Sequence, residues 1–114
     1  HPTEATLEFD VPVTIGLRDV LVEITARWED GRLLVEQTLR NLSRAPVSFG
    51  AFCQAPLRPQ LEHAFIDVPA GDSQTHVYVI ADDQVRELAG MTLHLGLREV
   101  RGKRTLDQLV EVPP

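Results

Sequence analysis

Apolar and polar residues alternate along much of this chain with a period of two. From Asp19 to Trp28, the residues Val20, Val22, Ile24, Ala26 and Trp28 fall on one side and Leu21, Glu23, Thr25 and Arg27 on the other. That period belongs to a β-strand with one face buried, because successive side chains point to opposite faces of a pleated chain. Glu29-Asp30-Gly31-Arg32 follows. Asp-Gly is a strong hairpin signal, since both central residues of a type I′ turn need positive φ. The returning strand is Leu33 to Arg40. The pattern predicts that Trp28 points inward with the other even-numbered residues.

Further strands follow at short spacing. A polar turn covers Asn41 to Pro46, with Leu42 expected to tuck inward, and a strand runs from Val47 to Gln54 with Val47, Phe49, Ala51 and Cys53 on one face. Pro56 and Pro59 lack the N–H that a central strand needs, so Ala55 to Pro59 reads as a break. Strands are then predicted over Leu61–Val68, Gln74–Ile80, Met91–Arg98 and Arg104–Val112, with turns at Pro69–Asp72 and Val100–Lys103. Thr6–Pro12 reads as a first, edge strand, and an edge near Phe9 or Phe52 is a place where another chain can pair. Ala81 to Gly90 departs from the pattern. Asp82 or Asp83 can cap a helix, Val85, Leu88 and Ala89 recur at helical spacing, and Gly90 can end it, which predicts one short helix near 82–89. The expected fold class is all-β: one domain over residues 1–114, an antiparallel β-sandwich of about seven or eight strands.

The turns Leu39-Arg40-Asn41-Leu42-Ser43-Arg44-Ala45-Pro46-Val47 and Val68-Pro69-Ala70-Gly71-Asp72 give the chain a resemblance. It is similar to immunoglobulin-like and fibronectin-III-like sandwiches that serve as accessory domains of bacterial multidomain proteins. The resemblance spans most of the chain, but its motifs are short, and it transfers no functional residue. It departs from antibody domains, which carry a pair of cysteines where this chain has one. The resemblance implies a spacer or recognition module that meets a neighbouring domain or protein partner; an extracellular or periplasmic place is expected, and a single cysteine fits the cytoplasm as well.

Composition narrows the function classes. Lys and Arg number 11 and Asp and Glu 17, for a net charge of -6, which repels phosphate backbones and argues against nucleic acid as a partner. The run Arg98 to Arg104 holds the densest cations and reads as a solvated turn. With Cys53 alone no intrachain disulfide is possible. No apolar run approaches the roughly 20 residues of a membrane-spanning helix. The opening His1-Pro2, without Met, reads as an excised domain, a processed chain or a tag remnant.

Candidate chemistry is sparse. An N-terminal His1 can chelate copper through its amino group and imidazole, with His63, His76 or His94 to complete the site; a small periplasmic copper-binding protein is the alternative to a non-catalytic module. Cys53 alternates with Phe49 and Ala51 and is expected to be a buried thiol rather than a nucleophile. Asp82, Asp83 and Glu87, with Asp67 and Asp72, offer oxygens for calcium but match no spaced acidic loop, so capping is the simpler role. Asn41-Leu42-Ser43 matches a glycosylation sequon and is read as a turn. Phe52, Arg58 and Gln60 are the candidate binding residues. Phe52 falls out of register with the apolar face of its strand, leaving two places for it: a second packed layer, or a partner contact. No cofactor and no catalytic residue is expected.

Overall fold

The computed structural model describes residues 4–7, 13–17, 19–55, 58–80 and 86–112. Nine strands lie among them: β1 (Glu4–Leu7), β2 (Val13–Leu17), β3 (Val20–Glu29), β4 (Arg32–Asn41), β5 (Val47–Ala55), β6 (Arg58–Val68), β7 (Ser73–Ile80), β8 (Thr92–Glu99) and β9 (Thr105–Glu111). They form a five-stranded sheet of order β1-β9-β8-β5-β6 and a four-stranded sheet of order β2-β3-β4-β7. Every pairing is antiparallel except β1 with β9. The fold is an all-β sandwich.

The core follows from strand parity. Val20, Val22, Ile24 and Ala26 of β3, with Leu33, Val35 and Leu39 of β4, face Phe49, Ala51 and Cys53 of β5 and Leu93, Leu95 and Leu97 of β8, all buried. Leu106 and Val110 of β9, Ile66 and Val68 of β6, and Tyr78 and Ile80 of β7 complete one continuous cluster. Such interdigitation of two inner faces is what holds stacked sheets together. In the β3–β4 hairpin, Glu29 opposes Arg32 around the two-residue loop Asp30-Gly31. Both loop residues have positive φ, 52° and 76°, as a type I′ turn requires.

Asn41 organises the far end. It is fully buried, and its Nδ2 donates to the carbonyls of Ala45 (2.8 Å), Val68 (3.1 Å) and Pro69 (3.3 Å). Its Oδ1 accepts from the backbone N–H and hydroxyl of Ser43. One side chain therefore ties the β4–β5 turn to the β6–β7 turn, two of the places where the chain crosses between sheets. On the same end Arg104 donates to Asp19 (2.5 Å) and Glu99 (2.7 Å), joining the β8–β9 turn to the residue before β3. The core also holds one polar pair across the sheets: Gln37 Nε2 of β4 donates to Gln108 Oε1 of β9 at 2.8 Å.

Several expectations need correction. The described residues hold nine strands, in line with a sandwich of about seven or eight plus a second N-terminal strand, β2, that pairs with β3; β1 is Glu4–Leu7. Residues 8–12, including Phe9, lie outside the described residues. Strand β6 begins at Arg58 and includes Pro59. This is possible because β6 is an edge strand, where a missing N–H costs no ladder bond. Trp28 is 42% exposed although its cross-strand partner Leu33 is fully buried. Leu42 is exposed too; Asn41 takes the inward position, continuing the odd-numbered face of β4. Of the helix near 82–89, residues 86–88 form a helical turn, with Leu88 in the core and Gly90 at φ 78° behind it; 81–85 lie outside the described residues. No described helix is long and apolar enough to cross a membrane.

Candidate functional site

The most organised cluster of polar and aromatic side chains outside the core lies on the outer face of the five-stranded sheet. In β8 the inward residues are Leu93, Leu95 and Leu97, so His94, Gly96 and Arg98 face out. Phe52 of β5 stands opposite Gly96, and Asp107 of β9 stands opposite Gly96 on its other side. The glycine is required for space: a Cβ there would fall inside the Phe52 ring. The ring lies across the backbone of β8, an aromatic covering the gap that a glycine leaves in a sheet face.

Two neighbours clamp that ring. The His94 ring meets it edge-on, with centroids 5.4 Å apart and planes at 87°. The Arg98 guanidinium sits 4.9 Å from its centroid, within cation–π range. Both side chains also converge on one oxygen of Asp107, Arg98 Nη2 at 3.0 Å and His94 Nε2 at 2.8 Å. Partial burial pushes the Asp107 carboxyl up, but the bonds from His94 and Arg98 outweigh this and hold it below the usual carboxylate range. The carboxylate is thus charged and engaged, which suits it to fixing side chains and not to taking a proton. Arg98 and Arg104 are therefore ion-paired and only the turn between them, Val100 to Lys103, is fully exposed.

A second aromatic lies one row along. Phe65 of β6 stands opposite Gly50 of β5, and Gly50 stands opposite Arg98. Phe65 is 70% exposed. Beside it a shallow groove of about 440 Å³ runs past Val47, Ser48, Asp67, Val100 and Arg101. The outer face thus carries a clamped Phe52, an exposed Phe65, and cations at its rim.

Of the sequence candidates, Phe52 takes part in this arrangement. It occupies a packed second layer beneath Arg98 and His94. Strand β5 is central in its sheet, so the edge expected near Phe52 is not there. Arg58 opens β6 opposite Ala55, and Gln60 follows on the same edge strand; their side chains, and that of His63, lie outside the described residues. His1, Asp82 and Asp83 lie outside them as well. His76 of β7 is half-buried and meets Tyr78 edge-on at 4.6 Å, while His94 belongs to the outer face. Among the described residues no group of three His, Cys, Asp or Glu is placed to hold a metal ion. Cys53 is buried in the core, and Asn41 has its amide engaged inside the fold, out of reach of a glycan. Sequence reasoning missed Gly96, Arg98, His94 and Asp107 as a unit. The available signal was a glycine at an outward position of a strong strand.

No protein-family model matches the sequence, and no curated protein matches it.

Proposed function

We propose that this chain is a non-catalytic, immunoglobulin-like interaction module of a larger, exported bacterial protein, and that the outer face of its five-stranded sheet docks a neighbouring domain. The observation that carries this reading is the Phe52–Arg98–His94–Asp107 cluster beside the exposed Phe65. It is an aromatic and charged face made rigid by register and ion pairing, and rigid aromatics and arginines are the usual anchors of protein interfaces. The space between the sheets is filled by apolar side chains and the Gln37–Gln108 pair, and the outer carboxylate is bonded to Arg98 and His94. Neither feature serves a reaction.

Connectivity supports the immunoglobulin-like part. From β3 onward the chain runs β3-β4 in one sheet, β5-β6 in the other, β7 back beside β4, and β8-β9 to the second sheet beside β5. This is the Greek-key alternation of such sandwiches. Export rests on the resemblance alone, since a core built without a disulfide can form in either compartment.

The test uses the domain encoded beside this one in the same open reading frame. Mixing the two should shift the backbone amide signals of Phe52, Phe65 and Arg98. Phe65→Ser with Arg98→Glu should weaken binding at least tenfold; Phe65→Ser alone should leave the melting temperature unchanged. Binding that maps to another face, or a hydrolase or oxidase activity of the isolated chain, would overturn the proposal.

A further inference from the structure

A sheet edge presents a row of backbone donors and acceptors to any chain that can pair with it, and most edges carry features that prevent this. Three of the four edges here carry such features. Strand β1 has four residues, and β2 has five with Gly16 among them. Strand β6 carries Arg58, Pro59, Glu62 and Asp67, and its pairing with β5 shifts register between Cys53 and Ala55. Strand β7 has none of them. Ser73-Gln74-Thr75-His76-Val77-Tyr78-Val79-Ile80 contains no Asp, Glu, Lys, Arg, Pro or Gly, and its register with β4 runs without interruption over all eight residues. Among the described residues it has β4 on one side and no strand on the other.

The outer face of β7 is also apolar. Val77 and Val79 are 37% and 48% exposed, and Leu34 of β4 stands opposite Val79. We propose that β7 is a self-association edge, on which a second copy of this chain adds its own β7 antiparallel and joins the two four-stranded sheets.

The occupant is argued from charge and symmetry. The chain as a whole carries -6, so copies repel each other wherever charged surfaces meet; β7 itself holds no Asp, Glu, Lys or Arg, and the charges nearest its outer row, Glu36 and Arg40, stand one strand further in on β4. A partner chosen by charge would find nothing on β7 to read. A two-fold contact presents the same patch from both sides. With the axis at Val77, that residue meets its own counterpart and Val79 meets Thr75, so β-branched side chains face one another along the outer row. Such pairs are the favoured neighbours across strands. The remaining repulsion between copies is long-range and screened by salt, so association should strengthen as ionic strength rises.

Sedimentation velocity on the intact chain, from the micromolar to the submillimolar range, tests this at low and high salt. The expected result is a monomer–dimer equilibrium that shifts toward dimer with concentration and with salt. Val77→Lys should abolish the dimer and leave the melting temperature within a few degrees of the parent. Thr75→Lys, at a position already exposed, repeats the test should Val77→Lys fold poorly. Val77→Cys should form a crosslinked dimer on mild oxidation, with Glu23→Cys, on the far side of the same sheet, giving none. A chain that stays monomeric throughout, a dimer that survives both lysine variants, or equal crosslinking at Glu23→Cys would overturn the proposal.

Discussion

Replacing Asn41 tests whether one buried amide holds the two sheet crossovers together. In Asn41→Ala the carbonyls of Ala45, Val68 and Pro69 lose the Asn41 Nδ2 donor, Ala45 and Pro69 keeping those from Ser43 Oγ and Asp72 N, and the Ser43 N–H loses its acceptor. The bond to Val68 is buried, while those to Ala45 and Pro69 are nearer to water, which can replace them in part. One fully stranded acceptor and several weakened bonds should cost about 2–4 kcal/mol. At this chain length roughly 4 °C accompanies each kcal/mol, so the melting temperature should fall by about 8–16 °C. Asn41→Asp separates the donor from the acceptor. The carboxylate can still accept from Ser43, but it turns a second oxygen toward three carbonyl oxygens in a buried place. Ionisation is disfavoured there, so the folded-state pKa of the new carboxyl lies above its unfolded value. The sign follows: below the unfolded pKa both states are protonated and no penalty exists. The penalty grows as pH rises from that value to the folded pKa and then levels off. Urea unfolding should therefore find Asn41→Asp less stable than Asn41→Ala at pH 7, with the difference shrinking in acid. The comparison between variants matters, because the parent loses stability in acid for other reasons. An Asn41→Ala variant within about 0.5 kcal/mol of the parent, the range of ordinary surface substitutions, would refute the reasoning.

Two further outcomes are expected. Asp107 and Glu99 both have folded-state pKa values held low, Glu99 chiefly by its bond from Arg104 and Asp107 by those from His94 and Arg98 against a contrary push from burial. Their contribution is complete above the ordinary carboxylate range and is lost as pH falls through the folded values, so Asp107→Asn should flatten the melting temperature profile below about pH 4; a profile parallel to the parent's would count against the ion-pair reading. In the core, Gln37 Oε1 and Gln108 Nε2 have no hydrogen-bond partner among the described residues, so Gln37→Leu should cost about 1–3 kcal/mol by stranding Gln108, while Gln37→Leu with Gln108→Leu should recover most of it; additive losses in a urea double-mutant cycle would contradict this.

Much of the sandwich can be read from parity. The alternation from Val20 to Ala26, the Asp30-Gly31 turn and the even spacing of Leu93, Leu95 and Leu97 place residues on faces without knowledge of strand order. Trp28 shows where parity stops. It has the parity of the buried face, yet it is 42% exposed while Leu33 opposite it is buried, so parity alone does not fix burial at a strand end. Leu42 shows what happens when apolarity is preferred to parity. Leu33, Val35, Gln37, Leu39 and Asn41 share one face of β4 by position alone, so the alternation already sent Asn41 inward and Leu42 outward. The loss of hydrophobicity at Asn41 is repaid by five hydrogen bonds, which cannot be seen until the β6–β7 turn lies beside it.

The outer-face site was less legible, for a reason that its two glycines make concrete. Phe52 could be recognised as out of register with its strand, and Gly96 as a glycine inside an otherwise strong strand. Glycine weakens a strand interior unless something approaches its backbone closely. What neither residue reveals is that β5 and β8 are neighbours, although 36 residues lie between the end of one and the start of the other. Once that pairing exists, the positions follow: Phe52 needs a partner without a Cβ, Gly96 supplies it, and the residues two places either side of Gly96 must flank the ring. Gly50 with Phe65 repeats the register pairing of a glycine with an aromatic between β5 and β6. The first aromatic is clamped by Arg98 and His94, while the second stays exposed. A partner that docks here would find one aromatic already fixed in the sheet and another still able to bury surface, so the energetic contribution of Phe65 to binding should exceed that of Phe52, and the contribution of Phe52 to folding should exceed that of Phe65. Phe52→Ala and Phe65→Ala, each measured for both stability and affinity, decide between this division and a uniform patch, in which the two losses would scale together.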